Sequence, residues 1–412
     1  MFLKKCIVFG LMTAYLYSLV FGIFMTDIIR IPAPIILGIL MLPFIKKPLP
    51  PFAYYKECIL FTVALFLYNI VGLGDSVSFF ASLITILTCA LYFNYFVGSN
   101  PVRFNASVFI SFALLLVSMI ILVLDHYFVS TIDPIRALML GEPVKQTPAG
   151  LSLTQFTFGY QTAAFSAFVF VLTYTFRQNV FVKVIAFCVC MACLYLGMNR
   201  SAFVSFVGAA VIFLFVYYRF KAVFLVAAAL LIGFAIYTFV LKENADDKNN
   251  ILAKDQAKEA NDFNRVNLAA ENLKIYADYP YGLIFYGKNW DEVTYKNIVF
   301  EPGLTSHNAY LMFITYLGPF LGIGLLIGIY YKITRLFRRT IKQGRLKSNA
   351  LMLCLFFSFI SVSLNALSHN AWLVAADGPT LFLYFAILQG ARIYETQPVA
   401  DEVPIEEEAV LH

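Results

Sequence analysis

Apolar residues recur along this chain in twelve nearly unbroken runs, at about 6–25, 31–46, 57–74, 76–98, 106–125, 156–176, 179–198, 201–218, 221–241, 308–331, 349–368 and 379–393. Most approach the ~20 residues an α-helix needs to cross ~30 Å of hydrocarbon. None alternates as a lumen-lined strand would, which excludes a β-barrel. The second run is short and carries Pro32, Pro34 and Pro43. The pattern predicts an all-α, polytopic membrane helix bundle of about 12 transmembrane helices. It divides the chain into helices 1–9 over 1–241, with a polar connection at about 126–155, a long polar loop at 242–306, helices 10–12 over 307–393, and an acidic tail at 394–412.

Composition agrees with a membrane interior: 61% of the 412 residues are hydrophobic and 13% charged, with a mean hydropathy of +0.78. So little polar surface cannot coat a soluble protein of this length. Charge distribution then orients the helices. Eighteen Lys and Arg fall on one side, among them Lys4, Lys5, Arg103, Arg219, Arg392 and the run from Lys332 to Lys347. Only Arg30, Arg136, Lys145 and Arg200 occupy the short connections opposite. The positive-inside bias predicts that both termini are cytoplasmic. The first run follows Lys4 and Lys5 as a signal peptide would, but it is long and lacks a small-residue cleavage site, so it reads as a retained helix. The basic run Lys332–Lys347 reads as a topology anchor meeting anionic headgroups, and the tail from Asp401 to Glu408 as disordered.

The seven cysteines lie within or at the edges of apolar runs, away from the outer loops where a disulfide would form. Cys188, Cys190 and Cys193 have no His or acidic partner nearby, so small-residue packing is favoured over a metal site. No metal or other cofactor is expected. A Walker loop and a nucleic-acid patch are absent, so no nucleic-acid partner is expected. A transporter or flippase would place charges at mid-membrane and repeat its first half in its second. Neither pattern is seen.

Candidate chemistry gathers at the outer side. His307, one of only four histidines, stands where the long loop meets an apolar, glycine-bearing helix. An imidazole at a membrane lip titrates near neutral pH and can pass a proton, or it can be a buried structural hydrogen-bonder. Arg200 sits in the tight turn Gly197-Met198-Asn199-Arg200-Ser201-Ala202, where an outer-side cation runs against the topology rule. In the long loop, Phe263, Val266, Ala270, Leu273 and Ala277 recur at spacings of three and four. They predict an amphipathic helix with Arg265 beside its apolar stripe, closed by Tyr279-Pro280 and Gly282. The aromatics Tyr281, Phe285, Tyr286, Trp290 and Tyr295 suit a lipid interface or a sugar-stacking surface. The connection 126–155 carries Arg136, and the polar string Thr154–Thr162 suits either a helix lining a water-filled cavity or hydroxyl packing between helices. Guanidinium groups match diphosphate oxygens in charge and in planar geometry.

Three motifs in order, over about residues 130–335, resemble the O-antigen ligase and polymerase superfamily of bacterial polysaccharide assembly. They are the turn Asn199-Arg200-Ser201-Ala202, the segment from Asn264-Arg265-Val266 to Tyr279-Pro280-Tyr281-Gly282, and His307-Asn308 followed by Gly318 and Gly322. The resemblance implies a metal-independent, inverting glycosyltransferase in the bacterial inner membrane with its active site on the periplasmic face. It would move a glycan from undecaprenyl diphosphate to an acceptor hydroxyl, on lipid A-core in the ligases. Membrane lipid, lipid-linked donor and glycan acceptor are then its partners. Arg200 and Arg265 would hold the diphosphate and His307 would handle the acceptor hydroxyl, with Asn308, Arg136, His369 and Asp377 as possible supporting residues. The chain departs from the pattern in three places. Gly318-Pro319-Phe320-Leu321-Gly322 is one residue wider than the usual glycine spacing, with Pro319 expected to kink the helix. Leu367-Ser368-His369-Asn370 and Asp377 stand where ligases often carry an acidic residue in the last outer loop. Some polymerases place a glycine eleven residues after each arginine, and here those positions are Val211 and Tyr276. This favours a ligase, with a polymerase or a protein O-oligosaccharyltransferase as the alternatives. Ser368-His369-Asn370 also repeats Ser306-His307-Asn308, as a second site or by coincidence.

Overall fold

A computed structural model describes residues 2–25, 31–176, 178–236, 238, 265–297, 299–300, 306–343 and 349–396. The first part of the long loop, the acidic tail beyond Thr396, Arg30, Arg177, Phe263, Arg345 and Lys347 lie outside the described residues. Helix dominates, and no strand occurs among the described residues. The helices are α1 Phe2–Val20, α2 Ala33–Met41, α3 Tyr55–Leu65, α4 Ser76–Leu91, α5 Pro101–Tyr127, α6 Val129–Leu140, α7 Gln155–Thr175 and α8 Val180–Leu196. They continue as α9 Arg200–Tyr218, α10 Lys221–Ile236, α11 Arg265–Asp278, α12 Trp290–Thr294, α13 Ala309–Lys342, α14 Ala350–Asn365, α15 Ala371–Val374 and α16 Gly378–Thr396. Every one of the twelve apolar runs overlaps one of these helices.

The chain is a multi-pass membrane protein. Among the described residues, seven helices are long and apolar enough by length and composition to cross a bilayer: α1, α3 extended to Gly72, α4 extended to Val97, α5, α7, α9, and α13 counted across its bend. Ala33–Phe44, Val180–Leu196, Lys221–Leu231 and Ala350–Asn365 are apolar but shorter. Large apolar side chains such as Phe109, Phe181, Phe220 and Phe224 stand fully outward, as lipid contact allows and water does not. At the centre, α14 packs along α7 and both pack on α9. Ser358 donates across that seam to the Ala164 carbonyl at 2.7 Å, while Cys190 and Cys193 are packed as small buried side chains.

Capping side chains fix where the helices begin. Asn100, Thr154, Asn179, Asn199 and Asn308 each accept a backbone N–H of the first turn of their own helix. These bonds satisfy donors that hydrocarbon would otherwise strand.

The helix after His307 is not straight. Tyr310 and Tyr330 bring their hydroxyls to 2.7 Å although they are twenty residues apart, whereas a straight helix would separate them by ~30 Å. The fold-back is at Gly318, with φ 79° and ψ 174°. Proline at 319 disfavours helical geometry in the residue before it, and only glycine takes this φ readily. The expected proline kink is therefore a V whose vertex is the preceding glycine. Gly322 packs on the first arm, its Cβ direction 3.2 Å from the Phe313 carbonyl.

Onto this vertex sits the Pro280-Tyr281-Gly282 segment. A Cβ on Gly282 would overlap the Gly318 backbone, and a Cβ on Gly318 would overlap the Tyr281 carbonyl. Two glycines over thirty residues apart are thus required by one backbone contact. Replacing Gly318 by Ala is expected to destabilise the protein by more than ~2 kcal/mol through strained φ and steric overlap, read as a lower unfolding midpoint in detergent. Gly324→Ala, in a helical position with nothing within 4 Å, serves as the neutral control. Equal midpoints for the two variants would contradict this account of the vertex.

Candidate functional site

The α11 helix reaches the site through a face that hydrophobic spacing did not single out. Leu268, Asn272 and Ile275 are its buried positions, whereas Val266 and Leu273 of the expected stripe are exposed. The correction has a polar cause. Asn272 accepts from the Thr315 hydroxyl at 2.6 Å and directs its amide to the Met312 sulfur at 3.3 Å, so a buried asparagine marks the packed side. Arg265 shares that side, three, seven and ten residues before these positions.

The same contacts set the height of Arg265. Asn272 lies against Met312 and Thr315, and Gly282 against Gly318, so α11 and the first arm of α13 run in the same direction. Counting back seven residues from Asn272, and five to eight from Met312 and Thr315, gives rises of ~10 Å and ~7–12 Å. Arg265 and His307 therefore lie level, at one end of paired helices.

Arg200 comes to the same place. Burial, joined by the neighbouring positive charge of Arg200, pushes the Arg265 guanidinium down to about 10. At that value Arg265 remains cationic at neutral pH. Asn199 holds the turn: its amide donates to the Gln155 carbonyl at 2.9 Å, and its Oδ1 accepts from the Ala202 N–H at 3.2 Å and the Ser201 hydroxyl at 2.6 Å. Met198, just before it, has φ 50°.

His307 is built into an equally constrained turn. It also has φ 50°, a left-handed conformation that an L-residue adopts only where its surroundings impose it. Asn308 caps α13 by accepting from the Leu311 N–H at 2.9 Å. The Ala309 N–H donates to the carbonyls of Ala366 at 2.9 Å and His369 at 3.2 Å.

Phe156 links the parts. His307 stacks on its ring with centroids 5.6 Å apart and planes 16° apart, and His369 packs edge-on to it at 5.3 Å and 66°. His369 is 2% exposed, and its Nε2 lies 2.6 Å from the Ser201 hydroxyl, one residue from Arg200. The repeated Ser-His-Asn triplets thus converge on one phenyl ring. Arg200, Arg265, His307 and His369 gather where α7, α9 and α13 all begin. Three helix N-termini direct positive dipole ends at one region, which favours an anion there.

Two expected supporting residues are engaged elsewhere. Arg136 is 0% exposed and spends five N–H bonds on its own connection, to Gly150, Gln146 and Ser152 carbonyls and to the Asp125 and Asp133 carboxylates. It ties the polar segment down so that Leu151 donates to Ser118 and accepts from Gln161. Polar groups in the Thr154–Thr162 string are used in this packing. Asp377 caps α16, its carboxylate taken by the backbone and hydroxyl of Thr380. The spacing of sequence motifs did not reveal Phe156 or Asn272, and it showed Ser201 only as a member of the Arg200 turn. Only the unusual polarity around Phe156 hinted at it.

Among known proteins, residues 184–326 match the protein-family model described as O-antigen ligase. A search of curated proteins finds no match. The matched segment contains Arg200, Arg265 and His307, and His369 lies beyond it. Arg136→Met removes five bonds and leaves the Asp125 carboxylate buried. It is expected to cost ~3–5 kcal/mol of stability, measured as a fall in the unfolding midpoint in detergent. An unchanged midpoint would contradict the structural role given to Arg136.

Proposed function

We propose, from the match of residues 184–326 to the O-antigen ligase family model, that this membrane protein transfers a glycan from undecaprenyl diphosphate to an acceptor hydroxyl. In this reading the bundle sits in the bacterial inner membrane with both termini cytoplasmic and the site periplasmic. The acceptor is the lipid A-core oligosaccharide. The observation that carries the proposal is the half-buried Arg265 guanidinium within electrostatic reach of Arg200, near the meeting of three helix N-termini. Two like charges held together in partly dehydrated surroundings call for a polyanion to balance them.

Arg200 and Arg265 bind the diphosphate and stabilise the negative charge that grows on it as it departs. The acceptor oxygen attacks the anomeric carbon from the opposite face, a new glycosidic bond forms, and the carbon–oxygen bond to the diphosphate breaks with its electron pair leaving on phosphate. His307 takes the hydroxyl proton, as a neutral imidazole can. Attack opposite the leaving group inverts the anomeric centre. The charge stabilisation comes from guanidinium groups and helix dipoles, so the scheme needs no metal, and the activated donor supplies the driving force.

Complementation of a deletion strain tests this. Wild-type protein is expected to restore polymer on lipopolysaccharide and to clear accumulated lipid-linked polymer. Arg200→Ala, Arg265→Ala and His307→Ala, inserted at normal levels, are expected to lower transfer by roughly 100-fold or more. Full activity in those variants would refute the site. A deletion phenotype of single-unit capping would instead identify a polymerase.

A further inference from the structure

We propose that His369 is a positioning residue that holds the diphosphate-binding turn and the acceptor-handling turn in register; this rests on the transfer reaction proposed above. The evidence is the set of bonds that meet on one side chain and its own carbonyl. Its ring reaches Ser201 at 2.6 Å, next to Arg200. Its carbonyl accepts from Ala309 at 3.2 Å, two residues after His307. That carbonyl also accepts from the Tyr160 hydroxyl at 3.4 Å, and the ring packs on Phe156, the surface on which His307 stacks. One residue from the α14–α15 connection thus touches the turn of α9, the start of α13 and the first turns of α7.

The proton on the ring can be assigned from its neighbours. Asn199 has its amide nitrogen committed to the Gln155 carbonyl and its oxygen to the Ala202 N–H, which fixes the orientation of the carboxamide. The Ser201 hydroxyl lies 2.6 Å from that oxygen and has one proton to give, so it donates there. Ser201 must then accept from His369, and Nε2 carries the hydrogen. An Nε2–H exists in both this neutral tautomer and the cationic imidazole, so the contact does not depend on the charge of the His369 ring. His369 holds geometry and exchanges no proton with substrate.

Each turn keeps its own cap when this link is lost, Asn199 on α9 and Asn308 on α13. The donor site therefore survives, while its alignment with His307 does not. With the purified full-length enzyme, undecaprenyl-diphosphate-linked glycan as donor and lipid A-core as acceptor, His369→Ala is expected to lower kcat roughly 10- to 100-fold and to leave the donor KM within about threefold. Ser201→Ala should do the same, and the double variant should be no worse than the poorer single one, because both remove one link. His369→Gln, which restores an N–H near the Nε2 position, should recover most of kcat with an unshifted pH profile. Independent, multiplying losses from Ser201→Ala and His369→Ala, full kcat in Ser201→Ala, or a glutamine variant as poor as alanine would each overturn the proposal. If His369→Ala does not insert in the membrane, Ser201→Ala and His369→Gln carry the test alone. Full activity in His307→Ala and Arg265→Ala would instead refute the transfer reaction itself, whatever His369 does.

Discussion

The backbone contact between Gly282 and Gly318 governs more of this structure than any side-chain interaction. Because no Cβ fits on either residue, the loop segment can lie directly on the vertex of the folded helix α13. From that fixed point, α11 runs back beside the first arm of α13, joined to it by Asn272 and Thr315. The result is that Arg265, which is far from His307 in sequence, stands level with it. If the vertex straightened, α13 would separate Tyr310 from Tyr330 and leave α11 without a platform.

A second constraint is electrostatic. α7, α9 and α13 begin together, and their caps are neutral: Thr154, Asn199 and Asn308. Neutral caps satisfy the first N–H groups without cancelling the helix dipoles. The two arginines add full charges to the same region, with the cost visible as the lowered proton affinity of Arg265. Left-handed backbone at Met198 and His307 places strain on both candidate turns. Strain of this kind persists where the surroundings over-determine the conformation, and here Asn199, Ser201, His369 and Phe156 supply that determination.

Much of the architecture was legible from sequence because hydrocarbon imposes a simple rule: backbone groups must be satisfied within helices. Each of the twelve apolar runs overlaps a helix among the described residues. The candidate residues were legible where chemistry is conspicuous, as with an arginine at the end of an apolar helix. The orientation of α11 was not, because its buried face is organised by Asn272, a residue that hydrophobic spacing counts as polar. Arg136 looked like site chemistry for the opposite reason: its charge is conspicuous, while the five partners that consume it come from separate positions along the chain. The position of His369 depends on how α14 returns to α13, which no local pattern encodes.

The central claim is that Arg200 and Arg265 retain a lipid diphosphate donor while His307 carries out the step that consumes it. The most direct measurement is quantitative mass spectrometry of undecaprenyl-diphosphate-linked glycan co-purifying with His307→Ala protein, with and without Arg265→Ala. The account predicts donor trapped in the His307→Ala protein, and a loss of at least tenfold when Arg265 is also replaced. Equal donor content in the two proteins would contradict it.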